Sequence, residues 1–361
     1  MKRTLVAILV LVALLVAAVG LAIAFGGPGK PPPMSSINDP FKKVDFSDLP
    51  TVSYFPARDG VKLAFRVYPA GGGAVKGSVV LVHGSSASSS SMHVMARGFA
   101  AAGYAAYALD IRGHGGSGAK GHVAYIGQLE DDIEDFVHAT KLPRPSTLVG
   151  FSSGGGFVLR FAGSKRQELF SNYLLLSPFI SQDAATSRPG SGGWVSVGVP
   201  RIIALSVLNG FGIRAFNDLA VTRFALTEEN SKFLTPQYSF ALAENFRPQP
   251  DYQANIRAIR QPFRVLVGQN DEAFYPDQFA KVLSAAGKDV PVTPLPGIDH
   301  ISLTLDPAAI RAAIAAIESM DVPDPAIQPT AGRRIKQPQV VLTPPPPVTG
   351  FLASGRSPFF R

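Results

Sequence analysis

Cysteine is absent from all 361 residues. That excludes disulfides as a source of stability, and it excludes a lipid-modified cysteine behind an N-terminal apolar run. A thiolate metal site goes with it. No histidine pair stands at helical or hairpin spacing, so no metal and no cofactor is expected. The phosphate-cradling pattern G-x-x-x-x-G-K-[ST] is missing, and no repeat recurs at a solenoid period. Charge is sparse as well, with Asp, Glu, Lys and Arg making up 17% of the chain. The formal net charge of +8 divides into +2 over residues 1–50, +3 over 321–361 and only +3 over the 270 residues between. So weak a field, without a basic stripe, is better explained by a solvated surface and basic ends near anionic lipid headgroups than by a nucleic-acid groove, and no nucleic acid is expected as a partner. Stability must come from one large core, and a chain of this length can bury about three quarters of its unfolded surface.

What is present begins with Met1-Lys2-Arg3 and an uncharged, apolar run from Thr4 through Phe25. About 18 such residues can span a bilayer, whereas the apolar part of a cleavable signal runs to about 7 to 15. Length favours a transmembrane anchor over residues 1–26. Ala22-Ile23-Ala24 fits a signal-cleavage site, so secretion after cleavage stays open as the alternative. Lys2 and Arg3 predict a cytoplasmic N-terminus, with the remainder on the extracytoplasmic side, the periplasm in a bacterium. Residues 27–50 are rich in Gly and Pro and read as a spacer lifting the next domain off the membrane. The tail, 321–361, is basic, with Pro344 to Pro347 in succession, and reads as extended or disordered. A proline-recognising protein partner for it is conceivable from composition alone.

Gly150-Phe151-Ser152-Ser153-Gly154 sits between a strand-like run, Ser146 to Val149, and a helix-like stretch from Gly155 to Phe170. A serine on a sharp strand-to-helix turn crowds its own backbone, and glycines two before and two after remove the Cβ atoms that would clash. Ser152 is therefore the candidate nucleophile. A hydroxyl needs a base to take its proton and a third group to orient that base. Phe263 to Gly268 reads as a buried strand followed by Gln269-Asn270-Asp271, making Asp271 the candidate acid. Val290 to Leu295 reads as a further strand closed by Pro296-Gly297-Ile298-Asp299-His300, making His300 the candidate base. The chain order Ser, Asp, His is that of the α/β-hydrolase fold. In that fold one oxyanion-hole amide follows the nucleophile, here Ser153. The other comes from the loop after the third strand, here Ser85, behind Gly77 to Val82 and His83-Gly84.

With Asp110-Ile111-Arg112-Gly113-His114-Gly115-Gly116-Ser117 after the strand Tyr104 to Leu109, five motifs stand in one order. Over residues 51–320 the chain resembles the serine α/β-hydrolases of the lysophospholipase and monoacylglycerol lipase type. The resemblance implies a mostly parallel central sheet flanked by helices, with an α-helical cap inserted after strand 6. It also implies Ser152, Asp271 and His300 as a triad, with Ser85 and Ser153 as oxyanion donors. The serine-rich stretch from Ser85 to Ser91 departs from many relatives, which weakens any transfer of substrate.

Single-residue rivals remain. Glu272 and Asp299 neighbour the acid and the base, and Asp299 reads otherwise as a turn or cap residue. His83 and His114 read as structural hydrogen-bonders, and His93, His122 and His138 as packing or solvent-facing residues. After the strand-like run Leu174 to Phe179, about eighty residues precede Phe263, far more than a crossover needs. This excess, about 181–260, is the expected cap. It carries Ile202, Leu205, Leu208, Phe211, Phe216, Phe224, Phe233 and Phe240, which either line an acyl pocket or form the cap's own core. Trp194 reads the same two ways. The expected activity is hydrolysis of a carboxylic ester of an amphiphile of lysophospholipid or monoacylglycerol type, through an acyl-enzyme. Thioesterase, peptidase or perhydrolase chemistry on the same triad is the alternative, and a non-catalytic binding domain is a third reading.

Overall fold

The computed structural model describes residues 1–34, 39–189 and 193–321. Helix α1 (Lys2–Phe25) leads into strands β1 (Val52–Pro56), β2 (Lys62–Tyr68) and β3 (Gly77–Val82). Then come α2 (His93–Ala101), β4 (Tyr104–Leu109), α3 (Gln128–Thr140), β5 (Ser146–Phe151), α4 (Ser153–Ala162) and β6 (Asn172–Leu176). The insertion contains β7 (Val195–Val197), α5 (Val199–Gly210), β8 (Ala220–Phe224), α6 (Glu228–Ser231), β9 (Gln237–Ser239), α7 (Phe240–Asn245) and α8 (Tyr252–Arg257). The chain returns through β10 (Phe263–Gly268), α9 (Phe279–Ala285), β11 (Val292–Leu295) and α10 (Pro307–Asp321).

Eight strands form the main sheet in the order β1-β2-β4-β3-β5-β6-β10-β11. β1 and β2 are antiparallel at one edge, β2 runs antiparallel to β4, and every pairing from β4 to β11 is parallel. Parallel strands need crossovers, and those crossovers put helices on both faces. The central strands accordingly read as unbroken apolar runs whose side chains alternate between two cores. Val80, Val82, Leu148 and Val267 point to the face covered by α3, α4, α8 and α9. Val79, Leu81, Val149 and Leu266 point to the face covered by α2 and α10. Val79 through Val82 are fully buried, and each such side chain contributes about 1.5–3 kcal/mol.

The structure moves the bounds of β5 and β11 to Ser146–Phe151 and Val292–Leu295, from the expected Ser146–Val149 and Val290–Leu295, and departs from the sequence expectations in four larger ways. β6 ends at Leu176, and the apolar run up to Phe179 does not continue the strand, because Ser177 turns with φ 39° and Pro178 cannot donate to a ladder. The helix after the serine turn starts at Ser153 and stops at Ala162, with Gly163 behind it, well short of Phe170. The insertion between β6 and β10, termed the cap below for the role expected of it, is not purely helical: β7, β8 and β9 form a small antiparallel sheet beside its helices. Finally, residues 26–34 are not a free spacer. Gly26 C=O accepts from the Arg201 amide of α5 at 3.3 Å, and the Met34 amide donates to Ala225 C=O at 2.8 Å, so this stretch lies along the cap. The proline-rich tail lies outside the described residues.

The cap is fastened to the body through buried polar groups. Asn245, closing α7, accepts from the Gly127 and Leu129 amides at 2.9 and 3.0 Å and donates to Glu130. Glu130 in turn takes the Arg160 Nε–H of α4 at 2.6 Å, with both side chains buried. Glu130→Ala would strand a buried guanidinium, and loss of one partner of such a pair costs about 3–5 kcal/mol. The expected result is a lowered urea midpoint with the m-value unchanged.

Candidate active site

The strand β5 ends and α4 begins with Ser152 between them at φ 54°, ψ −120°. A non-glycine residue seldom adopts this backbone, and it persists only where its surroundings hold it. Three backbone bonds do so. The Ser152 amide donates to Leu176 C=O at 2.9 Å, and its own C=O accepts from the Gly156 and Phe179 amides at 3.0 and 2.9 Å. The turn also requires bare backbone beside it. A Cβ at Gly150 would lie 2.4 Å from Gly154 O, and one at Gly154 would lie 2.2 Å from His83 O.

Asp271 and His300 arrive at the same place from the carboxyl ends of β10 and β11. His300 Nδ1 lies 2.9 Å from Asp271 Oδ2, and His300 Nε2 lies 3.1 Å from Ser152 Oγ. The carboxylate accepts the Nδ1–H, which leaves Nε2 as the acceptor facing the serine hydroxyl. The imidazole sits between the rings of Phe151 and Phe274, at centroid distances of 4.8 and 5.3 Å. The other Asp271 oxygen accepts from the Ala273 and Phe274 amides at 2.8 and 2.9 Å. Burial pushes the Asp271 carboxyl up, but the bond and charge of His300 and the Phe274 amide outweigh it and hold the group below its ordinary 3.8.

The rival residues have other partners. Glu272 Oε2 accepts from the His300 backbone amide at 3.0 Å, and so steadies the loop without reaching the imidazole. Asp299 Oδ1 accepts from the Ser302 amide at 2.7 Å, a cap on the following turn. His83 is fully buried, its Nε2 accepting from the Ile111 amide at 3.2 Å, so that Nδ1–H donates to Gly84 O at 2.8 Å. Burial holds both His83 and His114 below the usual imidazole value, and both serve as neutral struts. His93 lies between Tyr68 and Asp48, His122 pairs with Asp218 at the surface, and His138 is in the last turn of α3.

The two serines read as oxyanion donors are neighbours, with Ser85 Oγ 2.5 Å from Ser153 Oγ. Among the described residues no acceptor takes the Ser85 or Ser153 amide, and Ser153 opens α4, where the positive end of the helix dipole lies. The Asp110 motif supports this loop. Asp110 accepts from the Ser89 and Gly116 amides at 2.7 Å each, and Arg112 is clamped by Asp132 and Asp59.

Three contributors escaped the sequence reading. Arg188 donates to the Phe274 and Asp271 carbonyls at 2.9 and 3.1 Å and lies over the Tyr275 ring, bracing the acid loop. Tyr238 of β9 takes the Ser86 amide at 2.5 Å and gives its proton to His114 Nε2 at 2.7 Å. Thr235 completes the clamp, its amide bonding Ser86 O at 2.8 Å and its carbonyl accepting the Ser86 hydroxyl at 2.6 Å. The cap thus grips the residue next to Ser85, which itself turns through φ 67°. Neither partner is close in sequence, so no local signal announces them.

The expected cap side chains divide. Leu205 and Phe240 are buried in the cap's own core, whereas Phe224, with Trp194 packed on it at 5.5 Å, belongs to the larger core that the cap shares with the body. Ile202 packs beside that core, Leu208 is half-buried, and Phe211, Phe216 and Phe233 face outward. Among the described residues no group of three or more His, Asp or Glu could hold a metal ion.

Two tests follow from this geometry. Tyr238→Phe leaves the Ser86 amide and His114 Nε2 unpaired, at a cost of about 1–3 kcal/mol. Labelling of Ser152 by a fluorophosphonate should slow about tenfold, as about 1.4 kcal/mol at the barrier requires, while circular dichroism stays unchanged. Because the Asp271 carboxyl is depressed, its ionised form stabilises the fold at neutral pH, and that contribution is lost as pH falls through the folded value, below 3.8. Urea melts at neutral and acid pH should show a shallower acid loss in Asp271→Asn than in the parent.

Comparison with known proteins places the chain. The Hydrolase_4 family model, described as serine aminopeptidase S33, matches residues 73–307. A monoacylglycerol lipase of Mycolicibacterium smegmatis is 36% identical over 112 residues, 29% of this chain and 39% of that protein, so the match spans well under half of that relative. Among solved structures, a soluble variant of Saccharomyces cerevisiae monoglyceride lipase superposes with a TM-score of 0.57 at 20% identity, over 75% of this chain and 95% of that one. A Paleococcus ferrophilus monoacylglycerol lipase gives 0.53 at 19%, over 72% and 98%. A bacterial membrane phospholipase A gives 0.53 at 15%, over 89% and 99%. These likenesses carry the fold, and the strand order, the turn at Ser152 and the family match agree: the chain belongs to the Hydrolase_4 family and has the α/β-hydrolase fold.

Proposed function

We propose that the protein is a membrane-anchored serine hydrolase that cleaves a carboxylic ester of an amphiphilic, lipid-like substrate of monoacylglycerol or lysophospholipid type. The observation that carries this reading is the continuous chain from Ser152 Oγ through His300 to Asp271, beside the neighbouring Ser85 and Ser153, whose amides meet no acceptor among the described residues. Ser152 Oγ attacks the ester carbonyl while His300 Nε2 takes its proton. Asp271 holds the imidazole in the required tautomer and stabilises the imidazolium. The carbonyl oxygen, now negative, is received by the Ser85 and Ser153 amides, each such donor being worth about 2.7–4 kcal/mol. Collapse expels the alcohol, protonated by His300, and leaves an acyl-enzyme. Water, deprotonated by His300, then attacks the acyl carbonyl, and the acid departs with Ser152 restored.

The substrate class rests on the monoacylglycerol lipase relatives and on α1, whose 24 residues have a window of mean hydropathy 3.2. Such a helix is about 36 Å long, enough to cross a hydrocarbon core of about 30 Å. We place the catalytic domain on the extracytoplasmic side, from Lys2 and Arg3. The family description names an aminopeptidase, which keeps amide cleavage as the second reading.

The test is a panel of monoacylglycerols, lysophospholipids, p-nitrophenyl esters, thioesters and aminoacyl amides, run on the full chain in detergent. Esters should dominate, Ser152→Ala should fold and lose turnover, and Asp271→Asn should lose about 10⁴-fold in kcat. Preference for aminoacyl amides would select the second reading, and full activity of Ser152→Ala would end both.

A further inference from the structure

The C-terminal end of α1 is built into the cap. Arg201, in the first turn of α5, donates from Nε to Ile23 O at 2.8 Å, from Nη2 to Ala24 O at 3.2 Å and from Nη1 to Ala220 O at 2.8 Å. Its backbone amide adds the bond to Gly26 O. Ile23 packs with Ile202 and Leu219 against the buried cluster of Leu205, Val221 and Phe240. The approach is close enough that a Cβ on Gly26 would lie 2.8 Å from Pro200 Cβ, and one on Gly198 would lie 2.7 Å from Gly26 O. The guanidinium thereby satisfies carbonyls that a helix C-terminus leaves without intrahelical partners.

This docking fixes where α5 stands. Its inner face, Ala204 and Leu205, is buried in the cap. Its outer face should then be polar, as on an ordinary surface helix. It is not. Val199, Ile203, Val207 and Phe211 stand four residues apart on one stripe, exposed by 53, 60, 43 and 80%. Ile213 and Phe216, also exposed, follow in the next loop. The only charged side chain on α5 is Arg201, and its guanidinium is spent on carbonyls of α1 and β8. A helix apolar on both sides needs an apolar neighbour on both.

Resting on the anchor reading above, we infer that the outer face of α5 and the loop through Phe216 lies in the interface of the same lipid bilayer that α1 crosses. The occupant follows from continuity. The hydrocarbon surrounding α1 ends near its last turn, and that turn is bonded to the first turn of α5, so the stripe begins where the bilayer surface does. Arg201 sits at that level with its stem among apolar groups and its head on carbonyls, as interfacial arginines do. A helix lying in the interface buries its apolar face to a depth of about 5–10 Å. The cap is then a membrane-seated element, and the body hangs from it through the Asn245 and Tyr238 contacts.

The absence of cysteine makes the test direct. Single cysteines are placed at Val207, Phe211, Ser284 and Leu11 in the full chain, labelled with an environment-sensitive fluorophore and reconstituted into phosphatidylcholine–phosphatidylglycerol vesicles with or without acyl-brominated lipid. Val207→Cys and Phe211→Cys should be quenched about twofold or more at interfacial depth. Ser284→Cys, an exposed site on α9, should be unaffected. Quenching at Leu11→Cys with none at positions 207 and 211 overturns this inference and spares the anchor. No quenching at Leu11→Cys overturns the anchor and the inference together. Because the readout is optical, neither result depends on the substrate class.

Discussion

One constrained residue organises the molecule. Ser152 is held at φ 54° because β5 must turn straight into α4, and the room for that turn is made by Gly150 and Gly154 against the carbonyls of Gly154 and His83. The strain raises the hydroxyl above the carboxyl edge of a parallel sheet, where the loops after β10 and β11 also emerge. A parallel sheet delivers its loops to one edge by construction. Asp271 and His300 therefore need no special arrangement to meet Ser152, only loops of suitable length. The helix α4 begins directly behind Ser152, so the positive end of its dipole lies beside that residue.

The remaining polar network keeps this geometry from relaxing. Asp110 and Arg112 tie down the loop after β4, His83 and His114 brace it as neutral buried rings, and Tyr238 joins His114 to Ser86. Every one of these groups is buried and paired, which is what makes such a network specify a single arrangement. The cap belongs to this network through Tyr238 and Thr235. A shift of β9 would be felt directly at the Ser86 amide, so the position of the cap and that of the Ser85–Ser86 loop are one variable.

Much of this was legible in the sequence, for a physical reason. Central strands buried on both faces are continuous apolar runs, so β3, β4 and β10 were readable to the residue. Ser152, Asp271 and His300 each sit in a short local pattern, a glycine-flanked turn or a loop directly behind an apolar run. The failures share a cause too. β7 and β9 are three residues each, too short for alternation to register, and the helical reading of the cap missed them. The end of β6 was obscured because Pro178 and Phe179 prolong the apolar run past the turn. Residues 27–34 read as part of a spacer because glycine and proline mark flexibility in isolation, whereas here the Met34 amide is bonded to Ala225 and the preceding Gly26 packs closely on Pro200. Arg188, Tyr238 and Arg201 act on partners distant in sequence, and no local pattern encodes that.

The central claim is that Ser152 carries the acyl group between the two halves of the reaction. Rapid acid quench of the full-length protein during turnover of a monoacylglycerol or p-nitrophenyl ester, followed by peptide mass spectrometry, tests it most directly. The account predicts a transient adduct of the acyl mass on the peptide containing Ser152, formed before steady state and decaying as substrate is exhausted. An adduct on another residue, or undiminished turnover with Ser152 unmodified, would contradict it.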